Sequence, residues 1–157
     1  MRCLYQNSLM NHTGEIFFVE GEDAHHLLHV VRIRPGEELL LLDGCGHQQL
    51  AKVKTLEKKR IEIEVVKEVL PLPAFVESAP ILHLGLSLVK RDTMDTCLKM
   101  AQELGIHRIY PLLSEYAQKT FPEEERVQRL LISALTQSNH PFLTDVRLPL
   151  TLEEIPW

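Results

Sequence analysis

The sequence predicts an α+β protein: a small, mostly β barrel carrying one inserted helix, followed by an α/β half built on a strand, helix and strand crossover. Three observations carry that expectation. The N-terminal part is a series of short, turn-bounded runs, one of which alternates strictly; a proline-rich segment then interrupts regular structure; after it the apolar spacing becomes helical. With 157 residues, 45% of them apolar, the chain can bury a core as one domain or as two small ones.

Strands are expected at "EIFFVE" (15–20), "EELLLLDG" (37–44), "QQLAKVKT" (48–55) and "RIEIEVVKEVL" (60–70). In the last of these Ile61, Ile63 and Val65 alternate with Glu62 and Glu64, the period-2 pattern of a strand with one face in a core and the other in water. A helix-like stretch, "EDAHHLLHVVRI" (22–33), separates the first two strands, and Pro35-Gly36 forces a turn after it. The two glycines of "LDGCG", from Leu42 to Gly46, could suggest a phosphate loop. Such a loop needs a helix N-terminus behind it, and here a strand follows, so a hairpin is expected. Pro71, Pro73 and Pro80 then fix φ and remove backbone donors. The domain boundary falls there, giving a first domain over 1–72, a linker over 73–80 and a second domain over 81–157.

Beyond the linker, "ILHLGLSLV" (81–89) is almost wholly apolar, as in a parallel strand covered on both faces. From Asp92 to Leu104 the residues Met94, Cys97, Leu98, Ala101 and Leu104 fall at helical spacing, with Asp95, Lys99, Gln102 and Glu103 on other faces. Asp92 or Thr93 can cap its start, and Gly105 can supply a left-handed stop. "HRIYPLL" (107–113) is a second strand, so the three elements form a βαβ crossover. Thr120 and Glu123 then make a T-x-x-E capping box for a helix that places Val127, Leu130, Leu131, Ala134, Leu135 and Ser138 on one face. Glu124 and Glu125 favour its first turn electrostatically, and Asn139-His140-Pro141 ends it.

The formal charge of −5 argues against a binder that grips nucleic acid through a generally basic surface, so any RNA contact must be local. Cys3, Cys45 and Cys97 are scattered and odd in number, which supports neither a disulfide framework nor a zinc site. No apolar run approaches the roughly 20 residues of a membrane span, and the N-terminus has no secretory h-region. A cytoplasmic protein that uses no membrane is expected.

Several basic groups are candidates for chemistry. His25 and His29 stand one helical turn apart, yet no third ligand is nominated, so no metal is expected. Arg32 and Arg34, at the end of the first helix, can fork onto phosphate oxygens or can simply complement the helix dipole. Lys52, Lys54, Lys58, Lys59 and Arg60 straddle a strand-to-strand turn and form either a solvated hairpin tip or an RNA-facing edge. Lys90 and Arg91 are the best local binding candidates, because they follow a parallel strand at its carboxyl end, where open α/β sheets line their ligand crevices. Glu103, Gln137 and Ser138 border apolar helix stripes, as interface or capping residues do. The chain has no Walker motif, GxGxxG or nucleophile elbow.

Three stretches together resemble the bacterial family of ribosomal RNA small subunit methyltransferase E. They are "HLLHVVRIRPGE" (His26 to Glu37), "LDGCG", and "KRDTMDTCLKMAQELGIHRIYPLLSE" (Lys90 to Glu115). In the third, Lys90, Lys99, Glu103, Leu104, Gly105 and Pro111 hold the family's places. The resemblance implies methylation of a uridine at N3 in 16S rRNA of the small ribosomal subunit, with S-adenosylmethionine as donor. It also implies a PUA-like RNA-docking barrel joined to a SPOUT-class α/β domain that forms a homodimer. Under it His26, Arg32 and Arg34 belong to the RNA-binding barrel, and Lys90 and the Gln137 region lie on the substrate side.

Two departures stand out. Tyr116 replaces a usual arginine, and "TQSNH" (136–140) lacks another, so the lost charge either weakens the grip on RNA or is replaced by Lys119, Arg126 or Arg129. No glycine follows Gly105, whereas the family's cofactor site is a glycine-rich knot, so that knot and the cofactor contacts are expected to lie beyond Trp157 and no cofactor-binding residue is expected in this chain. No catalytic base is nominated. The alternative reading is a non-catalytic rRNA-binding or assembly module that keeps the docking half.

Overall fold

The structure, a computed structural model, describes residues 2–7, 9, 13–69, 81–118 and 120–156. The expected linker and Lys119 lie outside the described residues. The chain divides into two compact units, Met1–Leu72 and Pro73–Trp157.

The first unit is a curled five-stranded sheet in the order β1-β3-β4-β5-β2, built from β1 (Arg2–Tyr5), β2 (Ile16–Glu20), β3 (Glu38–Leu42), β4 (Gln48–Leu56) and β5 (Arg60–Val69). β1 runs parallel to β3, and the other pairs are antiparallel. The alternation of β5 behaves as expected: Ile61, Ile63 and Val65 are buried while Glu62 and Glu64 are half-exposed. β3 is buried on both faces, with Leu39 and Leu41 in the main core cluster and Leu40 and Leu42 enclosed on the opposite side. The hairpin between β3 and β4 is closed by the Asp43 carboxylate, which accepts from the backbone N–H of Cys45 at 2.7 Å and of His47 at 3.2 Å.

Two expectations change here. Instead of a closed barrel the sheet is a half-barrel, because β1 and β2 occupy opposite edges and do not pair with each other. Helix α1 (Gly21–His25) and the turn after it drop Ala24 and Leu27 into the core cluster, so a helix fills part of the wall that strands would otherwise complete. That helix also does not continue as an α-helix. His26–Val31 is wound as a π-helix and ends at Arg32, a non-glycine residue at φ +54° whose N–H returns to the Leu27 carbonyl.

In the second unit β6 (His83–Ser87), β7 (Arg108–Leu112) and β8 (Asp145–Val146) form a parallel sheet with β7 in the middle. Helices α2 (Arg91–Glu103) and α3 (Glu124–Ser138) connect successive parallel strands, so both run opposite to the sheet and point the same way. Met94, Leu98 and Ala101 pack with Val127 and Leu131 over Ile109, and Leu84 and Leu86 close the cluster from β6. Among the described residues, helices cover one face of β6, and His83 and Gly85 on the other face are exposed.

The helix ends also differ from expectation. Lys90 is the N-cap of α2 and Glu123 that of α3, so Asp92 and Thr93 lie inside the first turn and Thr120 caps nothing. A helix started by Thr120 would need Phe121 in the α region, and a residue preceding proline is pushed out of it. Gly105 adopts the left-handed conformation at φ +73° and Asn139 does so at φ +58°. Leu104, expected on the apolar stripe, is 74% exposed, whereas Gln102, expected on a polar face, is wholly buried.

No helix among the described residues is long and apolar enough to cross a membrane. The three cysteines differ in setting: Cys45 is exposed, while burial pushes the Cys3 thiol up to about 11. Because the thiolate is the reacting form, iodoacetamide at pH 8 should label Cys45 well before Cys3, as read by mass spectrometry over time. Equal rates at the two positions would contradict the placement of β1.

Candidate nucleic-acid interface

In the first unit His26, Arg32 and Arg34 are exposed on the π-helical turn and the segment that follows it. A left-handed backbone costs an ordinary L-residue about 1–2 kcal/mol, so Arg32 stands where glycine would be easier. The basic run around the β4–β5 turn is more self-contained. Arg60 donates to both oxygens of Glu57, at 2.8 and 3.0 Å, and lies 4.5 Å from the centroid of the Phe18 ring. Lys54 donates to Glu64 at 2.8 Å. Pairs this exposed satisfy one another at little net gain, and they leave Lys58 and Lys59 as the charges of a solvated hairpin tip. The His25 and His29 rings approach to 4.6 Å, tilted by 50°. Among the described residues no three His, Cys, Asp or Glu groups are placed to hold a metal.

In the second unit Lys90 and Arg91 meet where β6 delivers the chain into α2. Because α2 and α3 point the same way, their first turns share one edge of the unit and their last turns the other. Gln137 lies in the last turn of α3, so it stands across the unit from Lys90 and Arg91 and not with them.

The edge that holds Lys90 and Arg91 also carries a cleft of about 310 Å³. Its apolar wall comes from Val89, Met94, Phe121 and Pro122, and its charged rim from Arg91, Arg126, Arg129 and Glu123. Asp95 fixes Arg126 in a two-pronged contact: Nε donates to one carboxylate oxygen at 3.2 Å and Nη2 to the other. That bond holds the Asp95 carboxyl below the usual carboxylate range. Arg129 makes only a 3.4 Å contact to the Glu125 carbonyl, and Arg91 forms no ion pair among the described residues. The sequence named Arg126 and Arg129 only as substitutes for missing charge. Their i,i+3 spacing at the start of a helix was the available signal, and what it lacked was Phe121 and the crossover helix beside them.

Comparison with known proteins places this geometry. Residues 77–157 match the RNA methyltransferase domain, and residues 19–66 match the PUA domain of RNA methyltransferases. Among curated relatives, ribosomal RNA small subunit methyltransferase E of Rickettsia conorii is 25% identical over 151 residues, covering 96% of this chain and 60% of the relative. The protein of the same name from Aquifex aeolicus is 29% identical, covering 87% of this chain and 58% of its own length. A solved structure of ribosomal RNA small subunit methyltransferase E from Neisseria gonorrhoeae bound to S-adenosyl methionine superposes with a TM-score of 0.80 at 27% identity, over 99% of this chain and 66% of that one. The chain thus spans about 60% of the length of these relatives.

Proposed function

We propose, from the premise that this chain belongs to the RNA methyltransferase family whose domain spans residues 77–157, that the whole protein methylates a uridine at N3 in 16S rRNA of the small ribosomal subunit. The observation that carries this reading is the presence, in one chain, of that domain and a PUA domain of RNA methyltransferases. S-adenosylmethionine, held by the Neisseria relative, is the proposed methyl donor. The family reading further implies a homodimer working in the cytoplasm.

The cleft of the α/β unit carries at its rim the guanidinium groups of Arg91 and Arg129, which have no carboxylate partner among the described residues, and these suit a phosphate better than a sulfonium. The role proposed for this chain is to grip and align the RNA. Methyl transfer to N3 requires that position to lose its proton, and positioning lowers the barrier by removing the freedom of the two reactants in advance. His26, Arg32 and Arg34 are proposed to hold RNA phosphates in the first unit, and Lys90 and Arg91 in the second. Gln137, on the other edge, is proposed only as a more distant contact.

The strained backbone of Arg32 supports its part, since strain of this kind persists where a side chain is needed for something other than folding. Arg32→Gly should leave the melting temperature unchanged or higher, while weakening RNA binding several-fold and reducing its salt dependence. Lower stability with unchanged binding would assign Arg32 to the fold alone.

The activity is tested by supplying the complete reading frame to a bacterial strain that lacks N3 methylation of 16S rRNA, and mapping the modified uridine by primer extension. Restored methylation is expected. Binding to rRNA fragments without methylation would favour the non-catalytic rRNA-binding or assembly module instead.

A further inference from the structure

We infer that the cleft at the shared edge of α2 and α3 seats one unstacked nucleotide of the RNA substrate, with its base against Phe121 and its phosphate on Arg91 and Arg129. The inference rests on the methyltransferase reading for the identity of the RNA and on the cleft itself for everything else.

The cleft combines the two surfaces that single-stranded RNA requires. Proteins that bind such RNA stack splayed bases on aromatic rings and hold the backbone with arginines. Here Phe121 and Pro122 form an apolar wall, and the arginines stand along its rim. The volume of about 310 Å³ lies at the lower limit of small-molecule pockets, roughly 300–1,000 Å³, and suits one nucleotide better than an extended segment. The three arginines have different duties. Asp95 engages Arg126 through Nε and Nη2, which sets the plane of the guanidinium and leaves Nη1 outside that pairing. Arg91 and Arg129 have no carboxylate partner among the described residues, so their forks are available for a bidentate phosphate contact.

Acidic groups at the same edge decide where the phosphate lies. Asp92, Glu124 and Glu125 occupy the first helical turns, and Glu123 lines the cleft. They leave the guanidinium groups of Arg91 and Arg129 as the places at this edge that favour a phosphate. The Glu123 carboxylate is an acceptor for a ribose 2′-hydroxyl, the group that distinguishes RNA from DNA. Thr120 and Gln118 also line the cleft and supply donors and acceptors for a base edge.

The test uses the 157-residue chain and a fluorescent oligouridylate, with anisotropy titrations across a potassium chloride series. Arg91→Ala combined with Arg129→Ala should lower affinity about tenfold near 0.1 M salt and reduce the slope of log affinity against log salt by about 0.7 for each phosphate that is no longer held. Phe121→Leu, which keeps an apolar side chain but removes the stacking face, should lower affinity about tenfold with the slope unchanged. The matching oligodeoxyuridylate should bind more weakly than the RNA to the wild type, and Glu123→Gln should narrow that difference. A wild-type slope in the double arginine variant, or full affinity in Phe121→Leu, overturns the assignment. A measurement that needs no variant is the perturbation of amide resonances by uridine monophosphate: shifts at residues 118–129 are expected, and their absence also overturns it. If the complete protein methylates 16S rRNA while the arginine variant keeps its slope, the cleft assignment fails and the methyltransferase reading stands. If the cleft behaves as described and the complete protein does not methylate, the reverse holds.

Discussion

Gln102→Leu should destabilise the α/β unit by about 1–3 kcal/mol, the cost of a buried backbone N–H left without a partner. Gln102 is wholly buried and spans from α2 to the segment before β8. Its Nε2 donates to the Phe142 carbonyl at 2.9 Å, and its Oε1 accepts from the Thr144 N–H at 2.8 Å. Leucine fills a similar volume and can do neither. Thr144 is only 4% exposed, so water cannot take over. The check is amide exchange by mass spectrometry, with peptides from α2 and β7 losing protection while those from β5 in the first unit serve as an internal reference. A loss below about 0.5 kcal/mol, the size of an ordinary surface change, would show that the Thr144 N–H finds another partner.

Gly105→Ala should cost about 2 kcal/mol or more, from two separable sources: backbone strain and a steric clash. At φ +73° a side chain is strained wherever it points, and an added Cβ would stand 2.7 Å from Nε2 of His140. The ring cannot swing away freely, because its Nδ1 lies 3.0 Å from the Phe142 carbonyl and 3.3 Å from the Phe142 N–H. Combining Gly105→Ala with His140→Ala should recover the steric part and leave the backbone part, about 1 kcal/mol for an L-residue in the left-handed region. A double-mutant cycle by urea unfolding reads the coupling directly. Strict additivity of the two changes would mean that the contact with His140 carries no cost.

Much of this architecture is legible in the sequence wherever a residue's neighbours along the chain decide its fate. Ile61, Ile63 and Val65 alternate because one face of β5 is in the core, and Gly105 stops α2 because only glycine takes that conformation cheaply. The misreadings arise where distant parts decide. Gln102 reads as a solvent-facing position until residues 142–144 are folded against it. "ILHLGLSLV" reads as doubly covered until the helices among the described residues are seen to lie on one side. The Thr120 capping box failed for a local reason, since the proline at 122 forbids the helix start that the box would need. For the candidate site, the sequence put Lys90 and Arg91 at the strand-to-helix junction, and the structure shows a cleft on that edge. The cleft beside them needed α3 in place, because Phe121, Arg126 and Arg129 reach it from about 30 residues downstream.

The strand order of the first unit sets a schedule for synthesis. The strands β3, β4 and β5 form a continuous meander, but β2 waits at the far edge until its partner β5 has been made, since Val19 pairs with Ile61. At about 5–20 residues per second, the β2 segment spends on the order of several seconds outside the ribosome with Phe17 and Val19 uncovered. A chaperone that meets the nascent chain should therefore hold it longest over residues 16–20 and let go once β5 has followed them out of the ribosome.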